Sequence, residues 1–185
     1  KSVRDVTTDF RASRDNRVLP CVSVLRNADE WYYTTGGIAR VQASGLSQLA
    51  VANRKFSNFK ITATLKPISL NSEVGITFLR VSCANEKGRQ YVLSLTKSGV
   101  LTLSYKNSTI WTKRVSITDN GLPVQIERIN EKLWVYYGEK LENVEMISDV
   151  TLASGYVTYF VNNGAGAIFN DNINSIDTDW SDING

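Results

Sequence analysis

Aromatic side chains that stand beside polar residues are the part of this sequence best suited to ligand chemistry. The chain holds 4 Trp and 8 Tyr, and we expect most of these rings to pack in a core. The rings at strand ends or turns are the candidates for ligand contact: Trp31, Tyr32, Tyr91, Trp111 and Tyr159. Because an aromatic face packs well against the C–H groups of a sugar ring, this set predicts carbohydrate binding.

Sugar hydroxyls also need hydrogen-bonding partners, which charged and amide side chains supply. The candidates for this role are Arg80, Glu86, Arg89, Asn163 and Asp171. Arg80 and Arg89 flank one segment and Glu86 lies within it, so we expect a loop at the end of a rigid scaffold to carry part of the site. For each charged candidate, a solvated surface position is the alternative interpretation.

Arg80 also interrupts an apolar row. Strict alternation in the segment EVGITFLR places Val74, Ile76, Phe78 and Arg80 on one face of a strand. A charge at the end of such a row is either a solvated strand end or a ligand contact.

Several catalytic chemistries are excluded by composition. The sequence contains 0 His, which removes Ser-His-Asp and Cys-His catalysis and His-ligated zinc sites. No phosphate-binding glycine loop and no calcium-binding EF-hand loop occurs. The acidic residues fall mostly on turns, and Glu127 in a strand has no neighbouring carboxylate. Glycoside hydrolysis needs a carboxylate pair, so no catalytic residue is assigned and no enzyme is expected.

Length and charge favour one domain that binds no nucleic acid. The 185 residues are 42% hydrophobic, enough for one core, and the net charge of +3 is small and scattered.

No apolar run is long enough for a membrane-spanning helix, so no membrane insertion is expected. Cys21 and Cys83 form either one disulfide or two free thiols. The start at Lys1, without a leader, predicts a mature chain or an excised module.

Short alternating segments separated by turns predict an all-β fold. The segment Glu73–Tyr105 contains three of them, and Lys97-Ser98-Gly99 and Asn130-Glu131 suit tight hairpins. No segment keeps a helical period. The length favours a two-sheet antiparallel β-sandwich over a small barrel. We expect one domain over residues 1–176, with an irregular lead-in at 1–16 and a polar tail or linker at 177–185.

Seven segments follow one another in a characteristic order and spacing. They are T-D-F at Thr8–Phe10, F-S-N-F-K-I-T-A-T-L-K-P at Phe56–Pro67, V-G-I-T-F-L-R at Val74–Arg80, Q-Y-V-L-S-L at Gln90–Leu95, V-Q-I-E-R-I-N-E-K-L-W-V-Y at Val124–Tyr136, S-G-Y-V-T-Y-F at Ser154–Phe160 and A-I-F-N-D at Ala167–Asp171. This order and spacing resemble the concanavalin-like, laminin-G-like jelly rolls. Within that group the chain is most similar to carbohydrate-binding module family 66, fructan-binding modules attached to levan- and inulin-degrading hydrolases.

The resemblance implies a non-catalytic, monomeric module that binds a fructan or a related polysaccharide outside the cell or at its surface. It places the sugar in a pocket formed by loops and one sheet. It also implies that the first and last strands pair, and that a structural calcium has Asp9 and Asp171 as ligands. The segment Arg11–Arg26 and the adjacent Trp31-Tyr32-Tyr33 depart from the family pattern.

Two other functions fit the same fold class. A laminin-G-like adhesion or protein-interaction domain predicts a large exposed apolar patch without a cleft. A glycanase on the same jelly roll predicts two carboxylates in an aromatic groove, and Glu73, Glu127 and Asp171 are the residues that would have to converge.

Overall fold

The computed structural model describes residues 31–34, 36–40, 45–50, 54–81 and 89–176. The predictions made for Asp9, Cys21, Cys83 and Glu86 lie outside these ranges. So does the pairing expected of the first strand with the last. The division into lead-in, domain and tail stays a prediction.

The described residues form antiparallel strands and no helix. In chain order the strands are β1 (Trp31–Thr34), β2 (Gly37–Arg40), β3 (Leu46–Ala50), β4 (Phe59–Pro67), β5 (Glu73–Arg80), β6 (Tyr91–Thr96), β7 (Val100–Tyr105), β8 (Ser108–Arg114), β9 (Leu122–Ile129), β10 (Lys132–Tyr137), β11 (Asn143–Ile147), β12 (Tyr156–Asn162) and β13 (Gly166–Ser175). No helix of membrane-spanning length and hydrophobicity occurs among these residues.

The strands form two sheets. Within the described ranges one sheet has seven strands in the order β1-β2-β13-β4-β9-β10-β11, and the other has six in the order β3-β12-β5-β6-β7-β8. Every pairing is antiparallel, and neighbours such as β12 and β5 are far apart in sequence. The two-sheet antiparallel sandwich predicted from the sequence is confirmed.

Alternation along the strands builds the core between the sheets. In β4 and β9 every second residue is buried and the residues between them are half-exposed. Phe59, Ile61 and Leu65 therefore point into the sandwich, while Lys60 and Lys66 point away. Burying each such apolar side chain stabilises the fold by about 1.5–3 kcal/mol.

A bulge in β5 changes the face on which Arg80 lies. Leu79 has a φ of 50°, and both Phe78 and Leu79 are fully buried in the core. The pairing of β5 with β12 is irregular at the same level. Because two consecutive residues face the core here, alternation resumes with Arg80 on the opposite side.

The prediction that Arg80 shares the face of Val74, Ile76 and Phe78 is therefore wrong. Its Nη1 donates a hydrogen bond of 3.1 Å to Gln90 Oε1, and Gln90 adjoins Tyr91, whose ring is in the core. The bulge that reverses the face has no marker in the sequence.

The outer faces of the two sheets differ in exposure. At the centre of the six-stranded sheet the outward side chains Thr77, Thr158 and Phe160 are buried, and the two threonine hydroxyls are hydrogen-bonded to each other. On the seven-stranded sheet the outward side chains of β4, β9 and β10 are half-exposed or exposed. The seven-stranded sheet therefore offers the open face.

Candidate functional site

A groove of about 590 Å³ opens on the outer face of the seven-stranded sheet. Its floor is formed by Thr64 and Lys66 of β4, Pro123 of β9 and Phe169 of β13. The other lining residues belong to turns or to an irregularity in β13, and they are Gly36, Thr118, Asn120, Gly121, Glu139, Lys140 and Asn170.

One wall is the tight turn that leads into β9. Gly121 N–H donates to the Thr118 carbonyl at 3.0 Å, Asn120 N–H donates to Thr118 Oγ1 at 3.2 Å, and that hydroxyl donates to the Gly121 carbonyl at 3.2 Å. Gly121 has a φ of 98°, and a Cβ there would lie 2.6 Å from the Leu65 carbonyl oxygen. The glycine lets the turn pack against β4 while Asn120 stays exposed at the groove.

A second wall is the turn that follows β10. Gly138 N–H donates to the Pro123 carbonyl at 3.1 Å, and Leu141 N–H donates to the Gly138 carbonyl at 3.0 Å. The Lys140 amide donates to Glu142 Oε2 at 2.8 Å. These bonds fix the backbone of the turn, so the exposed Glu139 and Lys140 side chains are presented beside the groove.

Phe169 is held in place by Gly37, its partner across the β2–β13 pairing. A Cβ on Gly37 would lie only 2.5 Å from Cδ1 of the Phe169 ring, so the ring lies directly over the glycine backbone. Beside it, Asn170 N–H donates to the Gly36 carbonyl at 2.9 Å. The ring remains half-exposed and lines the groove.

The groove combines one aromatic surface with hydroxyl, amide, ammonium and carboxylate groups. Such a set can pack against the C–H face of a sugar and hydrogen-bond its hydroxyls. Glu139 is the one carboxylate residue among the described residues that line it. The described lining of the groove therefore provides no paired acid and base for glycoside hydrolysis.

The sequence-predicted candidates Trp31 and Tyr91 are core residues. Trp31 is 1% exposed, and its Nε1 donates to Ser47 Oγ at 2.7 Å. Tyr91 is stacked between Phe78 and Tyr105, with ring-centroid distances of 5.7 Å and 4.4 Å. Burial raises the pKa of Tyr91, and the neighbouring Tyr105 adds to the effect while Arg128 opposes it. Neither ring presents a face to solvent.

Tyr159 and Asp171 form a pair between the sheets. Tyr159 is buried, and its hydroxyl donates to Asp171 Oδ2 at 2.9 Å. Burial raises the pKa of both groups; the Asp171 carboxylate raises that of Tyr159 further, while the hydrogen bond from Tyr159 partly offsets the rise for Asp171. Asp171 Oδ1 is buried without a partner. This geometry is that of a structural link, away from the groove.

Trp111 and Asn163 lie at other places. Trp111 is half-buried on β8, packs against Tyr137 at 6.2 Å between ring centroids, and has a buried Nε1 without a hydrogen-bond partner. Asn163 is exposed in the turn after β12, and its N–H donates to the Gly45 carbonyl at 3.0 Å. Neither lines the groove.

Arg80 and Arg89 do lie close together, at the ends of the segment that contains Glu86. The backbone closes there through Val81 N–H, which donates to the Arg89 carbonyl at 3.1 Å. Arg80 is buried, and that burial lowers the pKa of its guanidinium, whereas Arg89 is exposed. Residues 82–88, with Glu86, fall outside the described part of the chain, so this predicted site stays a prediction.

The groove was missed because its residues come from separate segments. Thr64, Pro123 and Phe169 meet only when β4, β9 and β13 pair. One signal was present: alternation around Ile168 places Phe169 on the outward face, and a half-exposed aromatic there marks a candidate site.

The described residues hold no cluster of carboxylates that would mark a calcium site. Calcium takes about 6–8 oxygen ligands, and the described part of the chain holds no group of three His, Cys, Asp or Glu side chains suited to a metal. The unpartnered Asp171 Oδ1 is one suitable oxygen, but Asp9 lies outside the described residues. The calcium therefore stays a prediction. The carboxylates expected to converge in a glycanase lie apart: Glu73 is on β5 of the six-stranded sheet, Glu127 points outward from β9, and Asp171 points between the sheets to Tyr159.

Solved structures with the same fold include several carbohydrate-related proteins. Carbohydrate-binding module CBM66 from Bacillus subtilis matches with a TM-score of 0.63 and 15% identity over 78% of this chain and 91% of that one. The Bacillus licheniformis β-glucanase matches with a TM-score of 0.57 and 7% identity over 81% and 84% of the two chains. The exoplasmic/lumenal domain of VIP36, in a form bound to Ca²⁺ and Man3GlcNAc, matches with a TM-score of 0.60 and 9% identity over 81% and 84%.

The resemblance in fold to the concanavalin-like jelly rolls is therefore confirmed, with CBM66 among the similar structures. At these identities the likeness concerns the fold alone. No protein-family model matches the sequence, and a comparison with curated proteins finds no match either.

Proposed function

We propose that this chain is a non-catalytic carbohydrate-binding domain that binds a polysaccharide on the open face of its seven-stranded sheet. The observation that carries the proposal is the groove of about 590 Å³, whose half-exposed Phe169 ring is surrounded by polar side chains. Its location on an accessible face, rather than in the core, leaves room for a chain-like ligand.

Binding without catalysis is supported by the residues that line the groove. The described lining provides Glu139 but no second carboxylate, and a glycoside hydrolase needs two about 5–10 Å apart. The fold is shared by a binding module and by a β-glucanase, so the choice between binding and hydrolysis rests on these side chains.

The finer assignment comes from the resemblance in sequence and fold to CBM66. On that basis we propose a fructan such as levan or inulin as the ligand, a glycoside hydrolase as the attached enzyme, and a location outside the cell or at its surface. A monomer is proposed on the same basis.

The test is a binding screen of the domain against levan, inulin, β-glucan, xylan and pectin by affinity electrophoresis, followed by calorimetry on each positive. The variants are Phe169→Ala and Asn120→Ala, and the control is Ile110→Ala, an exposed residue on β8. We expect both groove variants to weaken binding. Asn120→Ala should do so at an unchanged melting temperature. For Phe169→Ala, the measured affinity is corrected for the fraction of the protein that is folded.

Two results would decide against parts of this proposal. Absence of binding to every polysaccharide would reject the binding function and favour a protein-interaction domain. Binding that is unaffected by both groove variants but lost in Arg89→Ala would move the site to the segment between Arg80 and Arg89.

A further inference from the structure

The groove occupies only one end of the open face. Next to it, strands β10 and β11 carry a row of outward side chains that we call the aromatic strip. It is composed of Trp134 and Tyr136 on β10 with Val144 and Met146 on β11. The register pairs Trp134 with Met146 and Tyr136 with Val144. Val144 and Met146 are 47% and 50% exposed, respectively.

The strip is continuous with the groove. Tyr136 is paired with Gln125, which lies two residues along β9 from the groove residue Pro123. Outward residues two apart on a strand are about 6.7 Å apart, so Tyr136 and then Trp134 follow the groove as successive steps along one face. A spacing of this order is comparable with the length of a sugar ring.

The two rings have free faces flanked by polar groups. Within the described ranges neither ring stacks on another aromatic ring or on a cation, and both are half-exposed. Gln125 lies beside Tyr136, and Glu127 lies beside Trp134. Rings that alternate with hydrogen-bonding side chains match a sugar chain, which offers C–H faces and hydroxyls in turn.

The two rows of this face that contain Trp134 and Tyr136 carry no net charge. Lys60 on β4 is directly paired with Glu127 on β9, so the two charges on the row of Trp134 offset each other. The next row, through Thr62 and Gln125 to Tyr136, carries no charge. A strongly anionic or cationic partner would find no complementary charge on these two rows.

We infer that the groove and the aromatic strip form one extended site, in which a neutral polysaccharide seated in the groove continues over Tyr136 and Trp134. This inference rests on the proposed function and specifies its ligand as a chain longer than a disaccharide. Affinity should then depend on chain length.

The experiment is a calorimetric titration with oligosaccharides prepared from levan, inulin and β-glucan, from disaccharide to octasaccharide. The proteins are the wild type, Trp134→Ala, Trp134→Phe and the control Ile110→Ala, with melting temperatures measured for each.

We expect wild-type affinity to rise with the length of the oligosaccharide. Trp134→Ala should lower affinity for the longest oligosaccharide about tenfold and leave that for the shortest unchanged, because aromatic contacts often dominate a binding surface. Trp134→Phe, which keeps an aromatic face, should lose much less.

The outcomes separate the two proposals. Binding in the wild type that is equal for all lengths and unchanged in Trp134→Ala would overturn the extended site and leave the groove. No binding of any oligosaccharide or parent polysaccharide would overturn the proposed function and the inference together. A concentration-dependent dimer in sedimentation that Met146→Glu dissociates would assign the strip to a second copy of the chain and also overturn the inference.

Discussion

Tyr159 and Asp171 show how single side chains link the two sheets. Tyr159 belongs to the six-stranded sheet and Asp171 to the seven-stranded sheet, so their hydrogen bond crosses the sandwich. Trp31 and Ser47 make a second link of the same kind, from β1 to β3. Asp171 nevertheless keeps a buried oxygen without a partner, and an unsatisfied buried polar atom costs stability.

We expect Asp171→Asn to stabilise the domain at neutral pH by about 1 kcal/mol, because the amide keeps an acceptor for Tyr159 and removes a buried charge. Burial raises the pKa of Asp171 above its ordinary value of 3.8. Its carboxyl group therefore contributes stability that is fully present below about pH 3.8 and is lost as the pH rises through the raised value. Urea unfolding across this range should show the advantage of Asp171→Asn growing from acid to neutral pH.

Tyr159→Phe is the matched variant for this pair. It removes the hydroxyl that donates to Asp171 Oδ2, so both carboxylate oxygens then lack a hydrogen-bond donor. We expect the free energy of unfolding to fall by about 1–3 kcal/mol at neutral pH. An Asp171→Asn advantage that did not change with pH, together with a neutral Tyr159→Phe, would show that the pair is not buried as described.

At the scale of elements, Arg128 joins a strand to the segments around it. Its side chain is buried among the core residues of β9 and has no carboxylate partner among the described residues. Burial lowers the pKa of its guanidinium, and Tyr91 partly offsets this. All of its N–H donors are instead used by backbone carbonyls, which belong to Ser57, Asn130, Val150, Leu152 and Ala153.

Replacing Arg128 should therefore be severe. Arg128→Met leaves several carbonyls without donors in a buried setting, and we expect a loss of about 3 kcal/mol or more. Arg128→Lys should be intermediate, since one ammonium cannot reproduce the planar set of donors. Urea unfolding measures both, with Arg114→Met on the exposed side of β8 as the control. A change within about 0.5 kcal/mol for Arg128→Met would refute this role.

The contact between β2 and β13 positions the groove ring. A Cβ on Gly37 would lie 2.4 Å from the Ile168 carbonyl oxygen and 2.5 Å from the Phe169 ring, so Gly37→Ala must displace that ring. We expect the variant to be about 1–3 kcal/mol less stable and to bind sugar more weakly even when folded. Calorimetry below its melting temperature separates the two effects, and full affinity in a folded Gly37→Ala protein would show that Phe169 does not contact the ligand.

For the whole molecule, the strand pattern was sufficient to predict the sandwich, because alternation and turn residues act locally. The Asn130-Glu131 hairpin is present as predicted, with Ile129 paired to Lys132. The side of Arg80 was not predictable, since the bulge at Leu79 depends on how β5 meets β12.

The site depends on contacts that a single sequence does not display. Trp31 and Tyr91 have the residue types of sugar-contacting rings, yet inter-sheet packing buries both. Phe169 was not among the predicted sugar-contacting rings, yet its pairing with Gly37 holds the ring half-exposed at the groove. Which aromatic rings remain accessible is decided by the pairing of distant strands, and strand registers cannot be derived from local alternation.

The most direct test of the account is to map the bound sugar by NMR. Backbone amide shifts would be followed while a levan, inulin or β-glucan oligosaccharide that binds in calorimetry is titrated into the domain. We expect the largest changes in the turns at 118–121 and 138–141 and along β10, with little change at Arg80 and Arg89. Changes concentrated at Arg80 and Arg89, with the groove and β10 unaffected, would contradict the assignment of the open face of the seven-stranded sheet as the binding surface.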